Sequence, residues 1–258
     1  MSDWNPALYG RYEDERTRPA RELLARVPLE QAARVADLGC GPGNSTELLL
    51  NRFGGAQVVG IDNSPAMLDS ARQRLPGTPF ELADIGTWSP AEPFGLLYSN
   101  ATLQWVRGHE TLFPRLYSLL APGGVLAVQM PDNLGEPSHR AMREVAALPS
   151  YTAHIGDPEA LRAPVLSVGQ YYDLLAAQGA KVDVWHTVYQ HPLASAAAIV
   201  EWVRATGLRP FVDRLPAALQ VGYLAEYEKR IDERYPARAD GQRLLAFPRL
   251  FIVARKPA

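Results

Sequence analysis

The chain has 258 residues, long enough for one large domain with a substantial core or for two small domains. Its 26 basic and 28 acidic residues give a formal net charge of −2, and without a basic block this balance argues against a nucleic-acid partner. No run approaches the ~18 apolar residues of a membrane span, no secretory signal is evident, and the single cysteine, Cys40, cannot form an intrachain disulfide. We therefore expect a cytoplasmic protein with no membrane partner.

The first half of the chain alternates between predicted helices and strands. An N-terminal arm, residues 1–19, contains a Trp and two Tyr, and we expect it to fold back over another part of the protein. Helices are predicted at 20–27, 46–53, from 64 onwards and at 112–120, and strands from 34 and at 57–61, 80–83, 96–99 and 125–130. This alternation predicts an α/β fold with a mostly parallel sheet covered on both faces.

The alternation stops after Pro131. Residues 133–165 are rich in proline and contain one predicted helix, at 138–147. A helix at 168–177, a strand at 182–189 and a last strand at 247–254 are predicted beyond them. Residues 193–243 are predicted to be helical, in pieces that break at Gly207, Pro210 and Pro216. We interpret the chain, residues 1–258, as a single domain with helical lid insertions at about 133–165 and 193–243.

A glycine-dense turn joins the first strand to a leucine-rich helix. The glycine loop, residues 39–43, has glycines at 39, 41 and 43 that allow close approach of a small molecule and positive φ values. Asn44 is predicted to cap the following helix, with Glu47 completing a capping box. Asp62 closes the next strand at the spacing of a ribose-binding acid. The pattern predicts a nucleoside site.

Two classes of cofactor fit a strand, glycine turn, helix and downstream acid. The dinucleotide fingerprint needs glycines at the first, third and sixth positions, but here the sixth position is Asn44 and the third glycine comes one place early. The sequence also has no Tyr-x-x-x-Lys pair, which one common dehydrogenase chemistry uses. A nicotinamide or flavin enzyme is therefore the less favoured alternative.

Four motifs favour the other class. Residues 35–43, 60–68, 83–85 and 120–126 resemble, in order and spacing, the class I S-adenosylmethionine-dependent methyltransferase family. The resemblance implies a doubly wound, seven-stranded Rossmann-like sheet, mostly parallel with the last strand antiparallel, together with a helical lid. It also implies S-adenosyl-L-methionine as the cofactor.

The same resemblance implies roles for individual residues. Asp37 and the backbone of Gly39 and Gly41 would hold the methionine portion, Asp62 the ribose hydroxyls and Asp84 the adenine amino group. The remaining cofactor-binding candidates are Asn44, Asn63, Met67, Ile85, Asn100, Gln104 and Trp105. Two alternatives stay open: Asp84 as a loop cap and Met67 as a core residue.

Stretches at the two ends of the chain resemble one branch of this family, whose members methylate a carboxylate of trans-aconitate. These stretches are residues 2–6, 18–29, 100–105, 128–133, 205–210 and 245–255. The resemblance implies carboxyl O-methylation of a small anionic tricarboxylate. Methylation of another small metabolite, or a non-catalytic cofactor-binding module, are the alternatives.

A carboxylate acceptor decides which residues the reaction needs. It is ionised at neutral pH, so we expect no catalytic acid or base, only positioning and exclusion of water. A trianion calls for arginine forks, and Arg209 and Arg249 are the candidates. The other substrate-binding candidates are Trp4, Tyr9, Arg18, Tyr171 and Trp202. Surface ion pairs for the arginines and a core position for Trp202 are the alternatives.

Two further expectations concern metal ions and assembly. The five histidines show no metal-ligand spacing, so no metal is expected. A monomer or weak dimer is expected.

Overall fold

The computed structural model of the protein describes residues 13–162, 164–204 and 206–258, and for residues 13–16 it describes the backbone only. These residues contain a seven-stranded sheet in the order β3-β2-β1-β4-β5-β7-β6. The strands are β1 (Arg34–Leu38), β2 (Gln57–Asp62), β3 (Phe80–Leu82), β4 (Phe94–Asn100), β5 (Leu120–Pro131), β6 (Lys181–Leu193) and β7 (Arg243–Arg255).

Helices connect most of these strands. The α-helices of the described residues are α1 (Glu13–Ala25), α2 (Asn44–Arg52), α3 (Pro65–Arg74), α4 (His109–Ser118), α5 (Pro137–Ala146), α6 (Pro149–Ile155), α7 (Val168–Ala176), α8 (Ala196–Arg204), α9 (Arg209–Val212) and α10 (Ala217–Arg234). Two 3₁₀ turns span Leu103–Trp105 and Glu159–Leu161. Within the described residues, no helix is both long and apolar enough to span a membrane.

The register of the parallel strands places the candidate site residues at one edge of the sheet. Asp37 of β1 lies beside Gly60 of β2 and Tyr98 of β4, and β5 continues the parallel pairing from β4. The carboxyl ends of β1, β2 and β4 therefore meet at the same edge, where α/β proteins bind ligands. The predicted seven-stranded sheet, mostly parallel with β7 antiparallel, is confirmed.

The chain divides into two compact units. Of the described residues, the sheet unit comprises 13–131, 165–187 and 250–258, and the insertion unit comprises those in 132–164 and 188–249. In the insertion unit, α10 buries Tyr223, Tyr227 and Ile231 at four-residue spacing along one face, and the Tyr223 hydroxyl donates to the carbonyl of Met142 at 2.8 Å. Each unit therefore has buried residues of its own.

Several predicted element bounds were wrong. The first helix begins at Glu13 rather than at residue 20, α6 was not predicted, and β5 begins at Leu120. The Ala-Pro-Gly-Gly run after Leu120 has the composition of a turn, but pairing with the C-terminus holds it in a strand. Gly123 N–H donates to the carbonyl of Pro257 at 2.9 Å, and Lys256 N–H donates to that of Gly124 at 2.8 Å. A register shift in the β4–β5 pairing between Phe94 and Leu96 accommodates the irregular run.

Candidate functional site

The backbone of the glycine loop follows a path that requires glycine. Gly39, Gly41 and Gly43 have φ values of 75°, 53° and 93°. A Cβ at Gly39 would lie 2.1 Å from the Thr102 side chain, whereas a Cβ at Gly41 would meet no atom within 4 Å. The loop therefore packs tightly against one neighbour at Gly39 and faces open space at Gly41, which suits close approach of a small molecule.

The loop is followed directly by α2, and its predicted cap was wrong. Gly43, in the left-handed region, is the N-cap and has no side chain that could accept a hydrogen bond, while Asn44 is the first residue of the helix. Glu47 pairs with Arg74 at 2.9 Å instead of reaching back to the helix start. The first turn of α2 thus begins beside the loop without a side-chain cap at Gly43.

Asp37 is a buried carboxyl group at the end of β1. Its Oδ2 accepts hydrogen bonds from the hydroxyls of Ser45 and Thr46, both at 2.7 Å. Its Oδ1 is buried and has no hydrogen-bond partner among the described residues. Burial raises the pKa of Asp37 to about 6; the hydrogen bonds from Thr46 and Ser45 oppose this shift and the negative charge of Asp62 adds to it. Ser45 and Thr46 were not among the predicted site residues, although they directly follow Asn44.

Asp62 joins the glycine loop to the start of α3. Its Oδ2 accepts from the N–H of Gly41 and its Oδ1 from the N–H of Ser64, both at 2.9 Å. Ser64 in turn caps α3, since its hydroxyl accepts from the N–H of Met67 at 3.3 Å, as its position before a proline predicted. A carboxylate can accept more than these two hydrogen bonds, so the geometry is compatible with a ribose ligand.

The residues predicted at the adenine end differ in burial. Met67 and Ile85 are buried, whereas Asn63 and Asp84 are exposed. Oδ1 of Asp84 accepts from the N–H of Gly86 at 2.7 Å, so Asp84 acts as a loop cap in the structure. Its contact with adenine stays a prediction.

Arg115 of α4 donates hydrogen bonds to the loop that carries Asp84 and Ile85, a contact that sequence analysis did not predict. One guanidinium nitrogen donates to the carbonyl of Trp88 at 2.7 Å, and the other donates to the carbonyl of Ile85. A fork of two parallel donors fixes the separation of the two carbonyls. No local signal marks this arginine, because its partners lie 27 and 30 residues away in sequence.

Two amide side chains, one on the last residue of β4 and one in the 3₁₀ turn that follows, have buried oxygen atoms. Asn100 Oδ1 and Gln104 Oε1 are buried without a hydrogen-bond partner among the described residues. Gln104 Nε2 donates to the carbonyl of Ala101 at 2.6 Å, and Ala101 has a φ of 56°, a region that favours glycine. Trp105 is 37% exposed. Strained backbone conformations of this kind are found most often at functional sites.

These features fit S-adenosylmethionine better than a dinucleotide. Asp37 and Asn100 have buried oxygen acceptors near the carboxyl ends of the adjacent strands β1 and β4, and Gln104 has one in the turn after β4. The amino group of a methionine portion is a cationic donor. The loop leaves space at Gly41. Burial raises the pKa of the Cys40 thiol, so this cysteine is not a ready nucleophile in the loop. The described side chains of the candidate site are suited to binding and orienting a ligand.

The predicted substrate residues lie in different parts of the structure. Trp4 and Tyr9 lie outside the described residues. Arg18 is on the surface of α1, where it pairs with Glu22 at 2.8 Å. Tyr171 is fully buried in the core of the sheet unit, and its hydroxyl lies 2.5 Å from Nδ1 of His109. Of the two described residues, Arg18 is therefore on the surface and Tyr171 is in the core.

In the insertion unit, two predicted residues surround one aromatic ring. Arg249 is buried, with its Cζ 4.7 Å from the ring centroid of Phe247. The ring centroid of Trp202 lies 6.3 Å from that of the same Phe247 ring and 4.4 Å from that of His191. Arg209 instead pairs with Asp213, the residue that directly follows its own short helix, at 3.6 Å.

The buried polar side chains of the insertion unit differ from those of the sheet unit. Among its described residues they are hydrogen-bond donors or amphoteric groups, and none is an acid: Asn133, Ser138, His139, His191 and Arg249. Burial, with the charges of Arg162 and Arg143, lowers the pKa of His139 to about 3, so this imidazole is neutral at pH 7. Throughout the described chain, no three His, Cys, Asp or Glu side chains group as metal ligands.

Comparisons with known proteins agree on the fold. A family model described as a methyltransferase domain matches residues 35–124. A solved structure of the YcgJ protein from Bacillus subtilis has a TM-score of 0.61 at 13% identity, covering 93% of this chain and 99% of that one. A Haemonchus contortus phosphoethanolamine N-methyltransferase 2, solved with S-adenosylhomocysteine, has a TM-score of 0.56 at 18% identity and covers 93% of this chain but 53% of that longer one. At these identities the likeness supports the fold alone.

Closer relatives match over the full length. A trans-aconitate 2-methyltransferase of Variovorax paradoxus is 69% identical, and the match covers 100% of both chains. An enzyme of the same name from Paracidovorax citrulli is 67% identical with the same coverage, and one from Methylobacterium radiotolerans is 62% identical over 99% of both chains. The chain therefore belongs to the trans-aconitate 2-methyltransferase family of S-adenosylmethionine-dependent enzymes.

Proposed function

We propose that this protein methylates a carboxylate of trans-aconitate and releases the monomethyl ester. The observation that carries the proposal is the 69% identity to a trans-aconitate 2-methyltransferase, which extends over the insertion unit as well as the cofactor site. The extent of this identity is relevant because the cofactor motifs alone do not determine which acceptor is methylated.

The residues of the chain hold the reactants rather than exchange protons with them. When bound, S-adenosylmethionine supplies an electrophilic methyl carbon that a nucleophile attacks in line with the sulfur. Asp37, Asn100 and Gln104 bind the methionine portion through their buried oxygens, and Asp62 binds the ribose. Because the acceptor carboxylate is ionised at neutral pH, no general base is needed, and rate enhancement comes from orientation and exclusion of water.

A tricarboxylate substrate requires cationic partners, and the insertion unit contains side chains that can serve as such partners. Its buried polar side chains include Arg249 and no acid among the described residues, which favours an anionic ligand. We propose that Arg249 and Arg209 bind substrate carboxylates and that Trp202 contributes to the wall of that site. For Tyr171 we propose a different role below, because its side chain is part of the sheet-unit core.

The proposal is tested with labelled S-adenosylmethionine and a panel of acids. Trans-aconitate, its saturated tricarboxylate analogue, citrate and fumarate are compared, and the product is checked for base-labile label. We expect the highest kcat/KM with trans-aconitate. The proposal is wrong if no acid in the panel gives a base-labile methyl ester.

A variant pair tests the substrate role of Arg249. Arg249→Lys keeps a charge but loses the fork, so we expect KM for trans-aconitate to rise by about 10-fold or more, with the affinity for S-adenosylhomocysteine unchanged. Arg255→Lys, at an exposed position of the same strand, is the matched control. Equal KM values for the two variants would contradict the role of Arg249.

We further infer that the protein works in the cytoplasm as a monomer or weak dimer, without nucleic-acid or membrane partners. The net charge of −2 supports the absence of a nucleic-acid partner. Light scattering at micromolar concentration measures the assembly state, and a stable tetramer would contradict the inference.

A further inference from the structure

A buried chain of hydrogen bonds connects α7 to the turn that carries Gln104. Nε2 of His109 lies 2.8 Å from the carbonyl oxygen of Leu103, and Nδ1 lies 2.5 Å from the hydroxyl of Tyr171. The N–H of Leu166 donates to the same hydroxyl oxygen at 3.2 Å. Since a carbonyl only accepts, Nε2 of a neutral imidazole carries the proton, Nδ1 accepts from the tyrosine, and the tyrosine oxygen accepts from Leu166.

This polar chain lies in an otherwise apolar core. Tyr171 is 0% and His109 6% exposed, and both rings pack on Phe113, with centroid distances of 4.7 Å and 5.2 Å. Removing one member would leave a buried polar group without a partner, which costs more than the hydrogen bond itself contributes. The two side chains are therefore held in one arrangement.

The other end of the chain of hydrogen bonds is close to the cofactor site. Leu103 begins the 3₁₀ turn Leu103–Trp105, and the next residue, Gln104, is 93% buried with its Oε1 lacking a partner among the described residues. Ala101, whose carbonyl accepts from Gln104, has the positive φ noted above. A strained backbone of this kind persists only where the surroundings fix it.

We propose that His109 and Tyr171 are a positioning pair, which holds the Leu103–Trp105 turn so that the amide of Gln104 faces the reactants of methyl transfer. Neither side chain contacts the reactants. The proposal rests on the proposed function for its kinetic consequences, because Gln104 is taken there as a ligand of the cofactor. The pair also holds Leu166, the second residue of the segment with which the chain returns to the sheet unit.

The kinetic test removes one hydroxyl. Tyr171→Phe keeps the ring on Phe113 and deletes the hydrogen bonds to His109 and Leu166, so we expect kcat to fall by about 10-fold and KM for trans-aconitate to change by less than about 3-fold. Tyr172→Phe deletes an exposed hydroxyl of the same helix and should leave kcat unchanged. An unchanged kcat in Tyr171→Phe overturns the proposal.

Two further variants separate positioning from packing. His109→Gln can still donate to Leu103 and accept from Tyr171, so it should keep kcat within about 3-fold of the parent, whereas His109→Leu should resemble Tyr171→Phe. Phe113→Leu weakens the same core without touching the hydrogen bonds. If Phe113→Leu lowers kcat as much as Tyr171→Phe at an equal loss of Tm, the pair has only a packing role and the proposal is wrong.

A readout that needs no substrate keeps this inference separate from the proposed function. Hydrogen exchange of the amides of residues 103–106 should be faster in Tyr171→Phe than in Phe113→Leu at matched stability. If the wild-type protein methylates no acid but this difference is found, the proposed function fails and the positioning role of the pair stands. Equal exchange rates in the two variants overturn the positioning role whether or not trans-aconitate is turned over.

Discussion

We expect the carboxyl group of Asp37 to make cofactor binding sensitive to pH. Burial raises the pKa of this group to about 6, so in the free protein it takes up a proton just below neutral pH. A bound ammonium group favours the carboxylate form and lowers the pKa again. Binding of S-adenosylhomocysteine at low pH must therefore release a proton from Asp37.

We expect the affinity for S-adenosylhomocysteine to be constant above about pH 7 and to fall by up to about 10-fold per unit as the pH drops below 6. Calorimetric titration between pH 5 and 8 measures it. Asp37→Asn cannot titrate, so its affinity should be weaker and independent of pH over this range. A wild-type affinity that does not change down to pH 5 would contradict the role of Asp37.

The backbone of Gly39 gives a second prediction at this scale. An alanine there meets both a positive φ of 75° and the Thr102 side chain at 2.1 Å, so we expect Gly39→Ala to lower the free energy of unfolding by about 2–4 kcal/mol. Gly77 has a φ of 88°, but an added Cβ there would meet no atom within 4 Å. Gly77→Ala should therefore lower the free energy of unfolding by only about 1 kcal/mol. Urea denaturation compares the two, and equal losses would mean that the close approach to Thr102 costs nothing.

Among the elements, α4 contacts the predicted adenine end of the cofactor site through Arg115. Its two donors hold the carbonyls of Ile85 and Trp88, and a lysine cannot reproduce that fork. We therefore expect Arg115→Lys to weaken S-adenosylhomocysteine binding by about 5–20-fold, since a loosened loop must be ordered on binding. Arg140→Lys, an exposed helical position, is the control. Unchanged affinity in Arg115→Lys would show that the loop is held by its other contacts.

The elements also show what local sequence can and cannot predict. The helix predicted at 168–177 is found as α7, Val168–Ala176, because a full capping box of Ser167 and Gln170 fixes its start. The capping box predicted at Asn44 is absent, because the left-handed Gly43 takes the cap position. Both segments have a polar residue followed three positions later by Glu or Gln, which is the pattern of a capping box. The two outcomes differ because the backbone enters the two helices along different paths.

Long-range contacts escaped prediction for a different reason. The cofactor motifs are continuous in sequence, so the sequence alone predicts a nucleoside site at the glycine loop, Asp37 and Asp62. The hydrogen bond between His109 and Tyr171 spans 62 residues, and that between Tyr98 and the carbonyl of Ala20 spans 78. Pairs of this kind form when tertiary packing brings separate helices and strands together. They cannot be predicted from the local periodicity of the sequence.

At the scale of the whole molecule, the last residues complete the sheet unit. Lys256 donates from its backbone to Gly124 at 2.8 Å and from its side chain to Leu120 at 2.7 Å, and Pro257 accepts from Gly123. We expect deletion of residues 256–258 to lower the free energy of unfolding by about 2–4 kcal/mol, measured by denaturation. Lys256→Ala keeps the backbone bonds and should cost less than half as much. Equal stability of the deletion variant and the full chain would contradict this role.

The division of β7 has a consequence for synthesis on the ribosome. The part of β7 up to Arg249 belongs to the insertion unit and the part from Leu250 onwards belongs to the sheet unit. Neither unit is therefore complete until β7 has been synthesised. Until that strand emerges, β5 has no partner on the side that β7 later covers, and an unpaired strand edge invites association with other chains. Formation of the fold therefore depends on contacts between distant parts of the chain, and nascent chains that stop before residue 243 should be the most prone to aggregate and the most dependent on chaperones.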